Sequence, residues 1–287
     1  MIDFQKILFF LLLFISTDLI HAQQHSMNGF SEDETILYTM NKQVGQFVKR
    51  FNMEEDQYGK TLAETDERYH DNQLRKKLLP GMFDKSNPRT SSKLKEYFVD
   101  DVTREDSAIY LNFLDKNWYA EVATTFLADG AEVHIILYLT LEQEKLGSKW
   151  VISNAWYSYF PSLFKAPDSA EQVKFFLHPM SHELDFMNLH KALERPEQIQ
   201  YYASKNYRPD YLSLFFYQMK TGKLEFKHID DVKFHFFQIP GWYCELSYFN
   251  RSDTNSGWLI SNLIYVNEKE KKELIKSYHL CASKDLP

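Results

Sequence analysis

A change of hydrophobic period, from helical to alternating, occurs twice along this chain and in the same order both times. That repeat limits the fold more than any composition figure does. In the first half Leu37, Met40, Val44, Phe47, Val48 and Phe51 recur at helical spacing. They follow Ser31 and Glu34, the S-x-x-E pattern that caps a helix start. Weaker helical pieces are expected around 72–83 and 91–99. From Ala108 the period becomes two, which predicts strands at about 108–114, 117–127, 131–143 and 149–160. The third alternates most cleanly, with Val133, Ile135, Leu137, Leu139 and Leu141 on one face and Glu132, His134, Ile136 and Tyr138 on the other. Asp129-Gly130 between the second and third strands is a tight-turn signal.

The segment 161–168, with Pro161 and Pro167, reads as a linker. The order then recurs. A helix capped by Ser181 carries Leu184, Met187, Leu189 and Leu193. A second starts at Arg195-Pro196, and a third after Arg208-Pro209 runs through Leu212, Phe215, Phe216 and Met219 to Thr221-Gly222. Strands are expected at about 223–229, 231–239, 241–250 and 257–266, then a charged helix at 268–278. Helices followed by an antiparallel meander make the class α+β. The expected units are 31–165 and 169–280.

Two short matches accompany the repeated order. Trp150-Val151-Ile152-Ser153-Asn154 is like Trp258-Leu259-Ile260-Ser261-Asn262, each opening the last strand of its half. Trp118-Tyr119-Ala120-Glu121 is like Trp242-Tyr243-Cys244-Glu245, but one strand out of register. Lys149-Trp150-Val151-Ile152-Ser153-Asn154 and Gly257-Trp258-Leu259-Ile260-Ser261-Asn262 also resemble the last-strand signature of the nuclear-transport-factor-2-like superfamily. The resemblance covers about residues 31–160 and, more loosely, 182–278. It implies two tandem cone-shaped domains, each with N-terminal helices packed on a curved antiparallel sheet, as in exported bacterial proteins carrying two such cones. The superfamily includes isomerases, dehydratases and many non-catalytic binding and assembly domains, so it implies no single activity. Its catalytic members use an Asp base or an Asp–His pair inside the cone. No residue of this chain matches those motifs.

The N-terminus predicts export. Lys6 precedes the apolar run Ile7 to Ile15, and Ala22 stands at a plausible cleavage point, so 1–22 reads as a signal peptide. The run is about half the length that spans a bilayer. No second one follows, so no membrane span is expected after cleavage, in the periplasm or outside a bacterial cell. A bridge between Cys244 and Cys281, the only two cysteines, stays open. The net charge is −7 and the signs are interleaved, which argues against nucleic-acid partners. No phosphate-binding glycine loop, G-x-S-x-G, H-E-x-x-H or C-x-x-C occurs. No cofactor and no metal are therefore expected. His178, His182 and Glu183 have ligand-like spacing, but Pro179 and Ser181 mark a helix start there.

Candidate side chains lie on the predicted strands. His134, with Glu132 and Tyr138 on its face, and His235, with Lys233 and Phe237, are the acid–base candidates of an isomerase-like or dehydratase-like enzyme. Trp118, Tyr138, Asn154, Trp156, Trp242, Tyr248 and Asn262 are the candidates for an aromatic pocket. Alternation puts Asn154 on the face of Trp150, Ile152 and Trp156, and Asn262 on that of Trp258 and Ile260. The leading expectation is a non-catalytic module that binds a small apolar or aromatic-stacking ligand or a protein partner. A protein-binding scaffold and a homodimer stay open.

Overall fold

The computed structural model describes residues 43–88, 90–145, 147–164, 175, 189–204 and 206–280. The expected capping box at Ser31, the signal segment, the Ser181 cap, the His178/His182/Glu183 group and Cys281 lie outside them. The first half holds α1 (Val44–Asn52), α2 (Asn72–Leu78), a 3-10 turn (Leu79–Met82) and α3 (Ser92–Val102). Three strands follow, β1 (Trp118–Ala128), β2 (Ala131–Glu144) and β3 (Gly147–Trp156), then α4 (Tyr159–Leu163). The second half holds α5 (Leu189–Leu193), a 3-10 segment (Pro196–Tyr202) and α6 (Tyr211–Lys220). It ends with β4 (Glu225–Phe236), β5 (Trp242–Phe249), β6 (Gly257–Tyr265) and α7 (Glu268–Leu280).

Side-chain caps set several boundaries. Asp71 accepts from the Gln73 and Leu74 amides, Ser91 from Leu94, and Asp210 from Leu212 and Ser213. These bonds, the Ser213 hydroxyl first, hold the Asp210 carboxyl below its ordinary pKa. Asp129 and Gly130 take φ of 50° and 81°, the double left-handed turn that suits a two-residue hairpin.

All six strands form one antiparallel sheet in the order β3-β2-β1-β4-β5-β6. Each half supplies three strands, and its first strand lies at the centre. The α+β class expected from the sequence is therefore observed, with two differences. The segment 108–114 is not a strand: Asn52 brackets Leu111 with two bonds of 2.8 Å, and Arg75 binds the Ile109 carbonyl at 2.6 Å. Side chains satisfy its backbone, so it needs no ladder partner. In the second half 223–229 and 231–239 are not two strands. They fall largely within β4, whose register against β1 shifts twice and accommodates Lys227 and Asp230 as extra residues.

The helices cross over between the halves. Phe47 and Phe51 of α1 and Phe98 and Val102 of α3 pack with Trp118 of β1 against Phe234, Phe236, Trp242, Leu246, Trp258 and Ile260 of the second half. Conversely, Tyr211 and Phe215 of α6 cover Phe126, Ile135 and Ala155 of β1 to β3. Each half thus covers the other's strands, not only its own. Leu137 packs against both clusters, which lie side by side on one face of the sheet. A parallel bridge between Phe83 and Ile260 and the Arg251–Asp84 ion pair at 2.8 Å add further ties. Arg75, 1 % exposed, joins α1 to α3 by binding the terminal carbonyls Phe51 (3.0 Å) and Val102 (3.2 Å). Its charge meets the negative ends of two helix dipoles.

The opposite face of the sheet carries Tyr119, Tyr138, Phe237, Tyr243 and Val266, against which Leu274 and Ile275 of α7 pack. Among the described residues no helix is long and apolar enough to cross a membrane.

Candidate functional site

The two Trp-Tyr-x-Glu segments, out of register as a repeat, meet in space. They lie on β1 and β5, the neighbours of β4 on either side, and His235 of β4 stands between them. Trp118 pairs with Phe236, Tyr119 with His235, and Glu245 with His235 from the other side. Alternation sends both tryptophans into the helix-covered core and both Tyr and Glu pairs to the opposite face.

His235 is 1 % exposed. Its Nε2 lies 3.2 Å from Glu121 Oε2, and its Nδ1 lies 2.8 Å from the Tyr243 hydroxyl. The Tyr119 ring stacks on the imidazole at 4.7 Å and 21°. Tyr243 Oη continues to Glu245 Oε2 at 3.4 Å, Ser261 Oγ reaches Glu245 Oε1 at 3.0 Å, and Ser247 Oγ lies 2.9 Å from Ser261 Oγ. A carboxylate–imidazole–phenol–carboxylate chain thus spans β1, β4 and β5 and ends on β6. Burial pushes the Glu121 pKa up, but the His235 hydrogen bond and charge, with Lys233, outweigh it and hold the carboxyl below its ordinary value.

Such a chain can hold and relay a proton. The imidazole itself is sealed by its neighbours, so no substrate atom reaches it without the sheet opening. The arrangement is therefore a clamp on three strands before it is a reaction centre.

The other acid–base candidate, His134, is far out on β2 with its side chain 79 % exposed, 3.1 Å from Thr125 Oγ1. The pocket candidates do not line one cavity. Trp118 and Trp242 are buried under the helices, their indole N–H groups donating to the Phe113 carbonyl and to Asp101, each at 3.0 Å. Tyr138 and Trp156 belong to the cluster beneath α7. Tyr248 is 43 % exposed, edge-on to Trp258 at 5.4 Å. Asn154 accepts from the Ala155 amide at 2.8 Å, and Asn262 pairs with Glu245 across the ladder.

Simple alternation misplaces the two asparagines. Leu139 pairs with Ile152 and Tyr138 with Asn154, so Ser153 is an extra residue in β3. Leu246 pairs with Ile260 and Glu245 with Asn262, so Ser261 is an extra residue in β6. Each bulge reverses the faces, leaving Trp150, Ile152, Trp258 and Ile260 on the helix side and turning Asn154, Trp156 and Asn262 away. Each bulged serine bonds back to the neighbouring strand, Ser153 to the Tyr138 carbonyl at 3.0 Å and Ser261 to that of Glu245 at 3.2 Å.

The sequence reading missed Glu121, Tyr243 and Glu245 as partners of His235. Their signal was the repeated Trp-Tyr-x-Glu, which marks equivalent places around a shared strand instead of equivalent strands.

A separate cleft of about 520 Å³ opens on the helix layer between α1 and the bracketed segment 109–113. Tyr110, Phe113, Val48 and Leu111 supply its apolar walls, and Lys49 and Glu54 its charges. Asn52 and His70 hold one Glu54 oxygen at 2.8 and 3.2 Å, and His70 is stacked between Tyr69 and Tyr110. Among the described residues Lys49 makes no ion pair.

Comparison with family models, with curated proteins and with solved structures finds no match to this chain.

Proposed function

We propose that this is an exported, non-catalytic module that binds a small ligand in the cleft between α1 and the 109–113 segment. One observation carries the reading: a cleft of about 520 Å³, with two aromatic walls and one charge of each sign, lies in the size range of small-molecule sites. Its walls are braced by Asn52, Arg75 and the Tyr69–His70–Tyr110 stack, so the shape exists before the ligand arrives. The ligand class is an apolar or aromatic body with a polar group facing Lys49 or Glu54.

The sealed state of His235 and the exposed, solvated position of His134 weigh against the isomerase-like alternative. The apolar run after Lys6 supports export. The reading as two tandem cones of the nuclear-transport-factor-2-like kind belongs to the same proposal. The repeated order of helices and a three-stranded meander supports it, as do the matching serine bulges, although each half's helices cover the other half's strands.

Gly45 offers the test. A Cβ placed there would meet Phe113 at 3.9 Å, so a larger side chain enters the cleft without breaking α1. After exposure to a cell-envelope extract, native mass spectrometry is expected to show one bound mass on the natural chain and none on Gly45→Phe. A bound mass kept by Gly45→Phe, or none on either chain, rejects the cleft as the site.

A further inference from the structure

β4 is paired along its whole length on one side only. β1 accompanies it from Glu225 to Phe236, whereas β5 meets it only from Lys233 to Phe236. Among the described residues nothing pairs with the backbone of 225–232 on the β5 side. Alternate residues of an antiparallel strand aim their N–H and C=O groups outward, so this stretch offers a row of unused donors and acceptors. The outer edge of β6, by contrast, is closed at Ile260 by Phe83 and by the Asp84 amide at 3.0 Å. Two exposed apolar side chains stand beside the open row. Phe226 and Ile229 are 50 % and 56 % exposed and pair with Phe126 and Thr124 of β1, as Val232 pairs with Val122. All three therefore lie on one face of the sheet, and the extra residues Lys227 and Asp230 give them their spacing of three.

We propose that 225–232 is a docking edge for a second copy of this chain, which adds its own 225–232 antiparallel across a twofold axis at Ile229. A twofold contact sets a surface against itself, so the segment must complement its own reverse. With Ile229 on the axis it does. Ile229 meets Ile229, while Phe226 meets Val232, Lys227 meets Asp231 and His228 meets Asp230, each of these three twice. Moving the register by one residue either way loses the match. One shift sets Phe226 against Asp231 and Ile229 against His228; the other sets Phe226 against Lys233 and Ile229 against Asp230. Both copies carry the same two extra residues, so the stretch from 226 to 232 is equally long on each side. The bulges and the charges blunt this edge toward unrelated strands, whereas in a second copy each charge finds its opposite. In the single chain Lys227 reaches Glu132 at 2.8 Å and His228 reaches Asp230 at 2.9 Å, exposed pairs that hold little for a new partner to displace. An edge of this length makes a small interface, so the dimer is weak and depends on concentration.

The test is sedimentation velocity of the natural chain over a range of concentrations, with Ile229→Lys, Lys227→Asp and Asp231→Lys beside it. The natural chain should dimerise as its concentration rises. Each variant should do so at least about tenfold more weakly, because every variant brings like charges together across the axis. Mixing Lys227→Asp with Asp231→Lys should restore the dimer, since in the mixed pair each introduced charge faces an opposite one. All three positions are exposed, so circular dichroism should be unchanged, and a misfolded variant would not be rescued by mixing. A natural chain that stays monomeric at every concentration overturns the proposal. So does a dimer that persists in Ile229→Lys, or a mixture of the two charge variants that stays monomeric.

Discussion

At the scale of single residues, His235 and Glu121 carry the sharpest expectations. Removing the imidazole leaves the partly buried Glu121 and Glu245 carboxylates without the group that separates them, and leaves Tyr243 without its closest partner. Loss of a buried, hydrogen-bonded ionic partner costs about 2–4 kcal/mol. His235→Ala should therefore lower the urea midpoint substantially; a shift equivalent to less than about 0.5 kcal/mol would show the chain to be decorative. Glu121 also makes stability depend on pH. Its folded pKa lies below the ordinary 4.5, so the unfolded chain takes up the proton first as the medium is acidified. The contribution is complete above the ordinary glutamate range and is lost as pH falls through the folded value. Stability of the natural chain should fall more steeply below about pH 4.5 than that of Glu121→Gln, measured as urea midpoint against pH. Parallel curves would contradict the assigned pairing. Cys244, buried in the core with its thiol pKa pushed up by burial, should stay unreactive toward thiol reagents until the chain unfolds.

At the scale of elements, the serine bulges decide which side chains face the core. Leu263 is 3 % exposed and pairs with Cys244 on the helix side. Deleting Ser261 removes the extra residue and turns Leu263 and everything after it to the other face. That variant should fail to fold, whereas Ser261→Ala keeps the bulge and loses only the hydroxyl's hydrogen bonds to Glu245 and Ser247, about 1–2 kcal/mol. Thermal unfolding of the two separates the cases, and equal stability would mean that β6 needs no bulge. The bulges also show where sequence reading stops. The Trp-x-Ile-Ser-Asn pattern is plain in both halves, and so are the strands that contain it. Strict alternation nevertheless carries Asn154 and Asn262 onto the tryptophan face, because an extra residue is visible only against the strand it opposes. The same applies to Asp230, where a bulge reads as a break between two strands. Asn52 and Arg75 make the converse error, since they supply from outside the bonds that alternation at 108–114 assigns to a neighbouring strand.

At the scale of the whole molecule, the described helices of each half pack on strands of the other, so the two main core clusters draw on both halves. Residues 43–164 alone would expose Phe126, Ile135 and Ala155, which α6 covers, and would leave Phe47, Phe51 and Phe98 without β4 to β6. That fragment should show no cooperative unfolding transition by circular dichroism, and adding the other half should restore one. A cooperative transition in the isolated fragment would mean that the halves are independent after all.

What the sequence by itself determined is local. The helix starts at Asp71, Ser91 and Asp210, the turn at Asp129-Gly130, the period of the strands and the α+β class follow from caps, positive-φ residues and alternation within a few neighbours of each position. What only the tertiary structure decided is non-local. The joining of two meanders through β1 and β4, the exchange of helices between halves, and the enclosure of His235 by Glu121 and Tyr243 depend on residues more than a hundred positions apart in the chain, or on strands whose order no local period records. Period tells a strand which face is apolar. It does not tell the strand which neighbour will share that face, and here the neighbour makes the site.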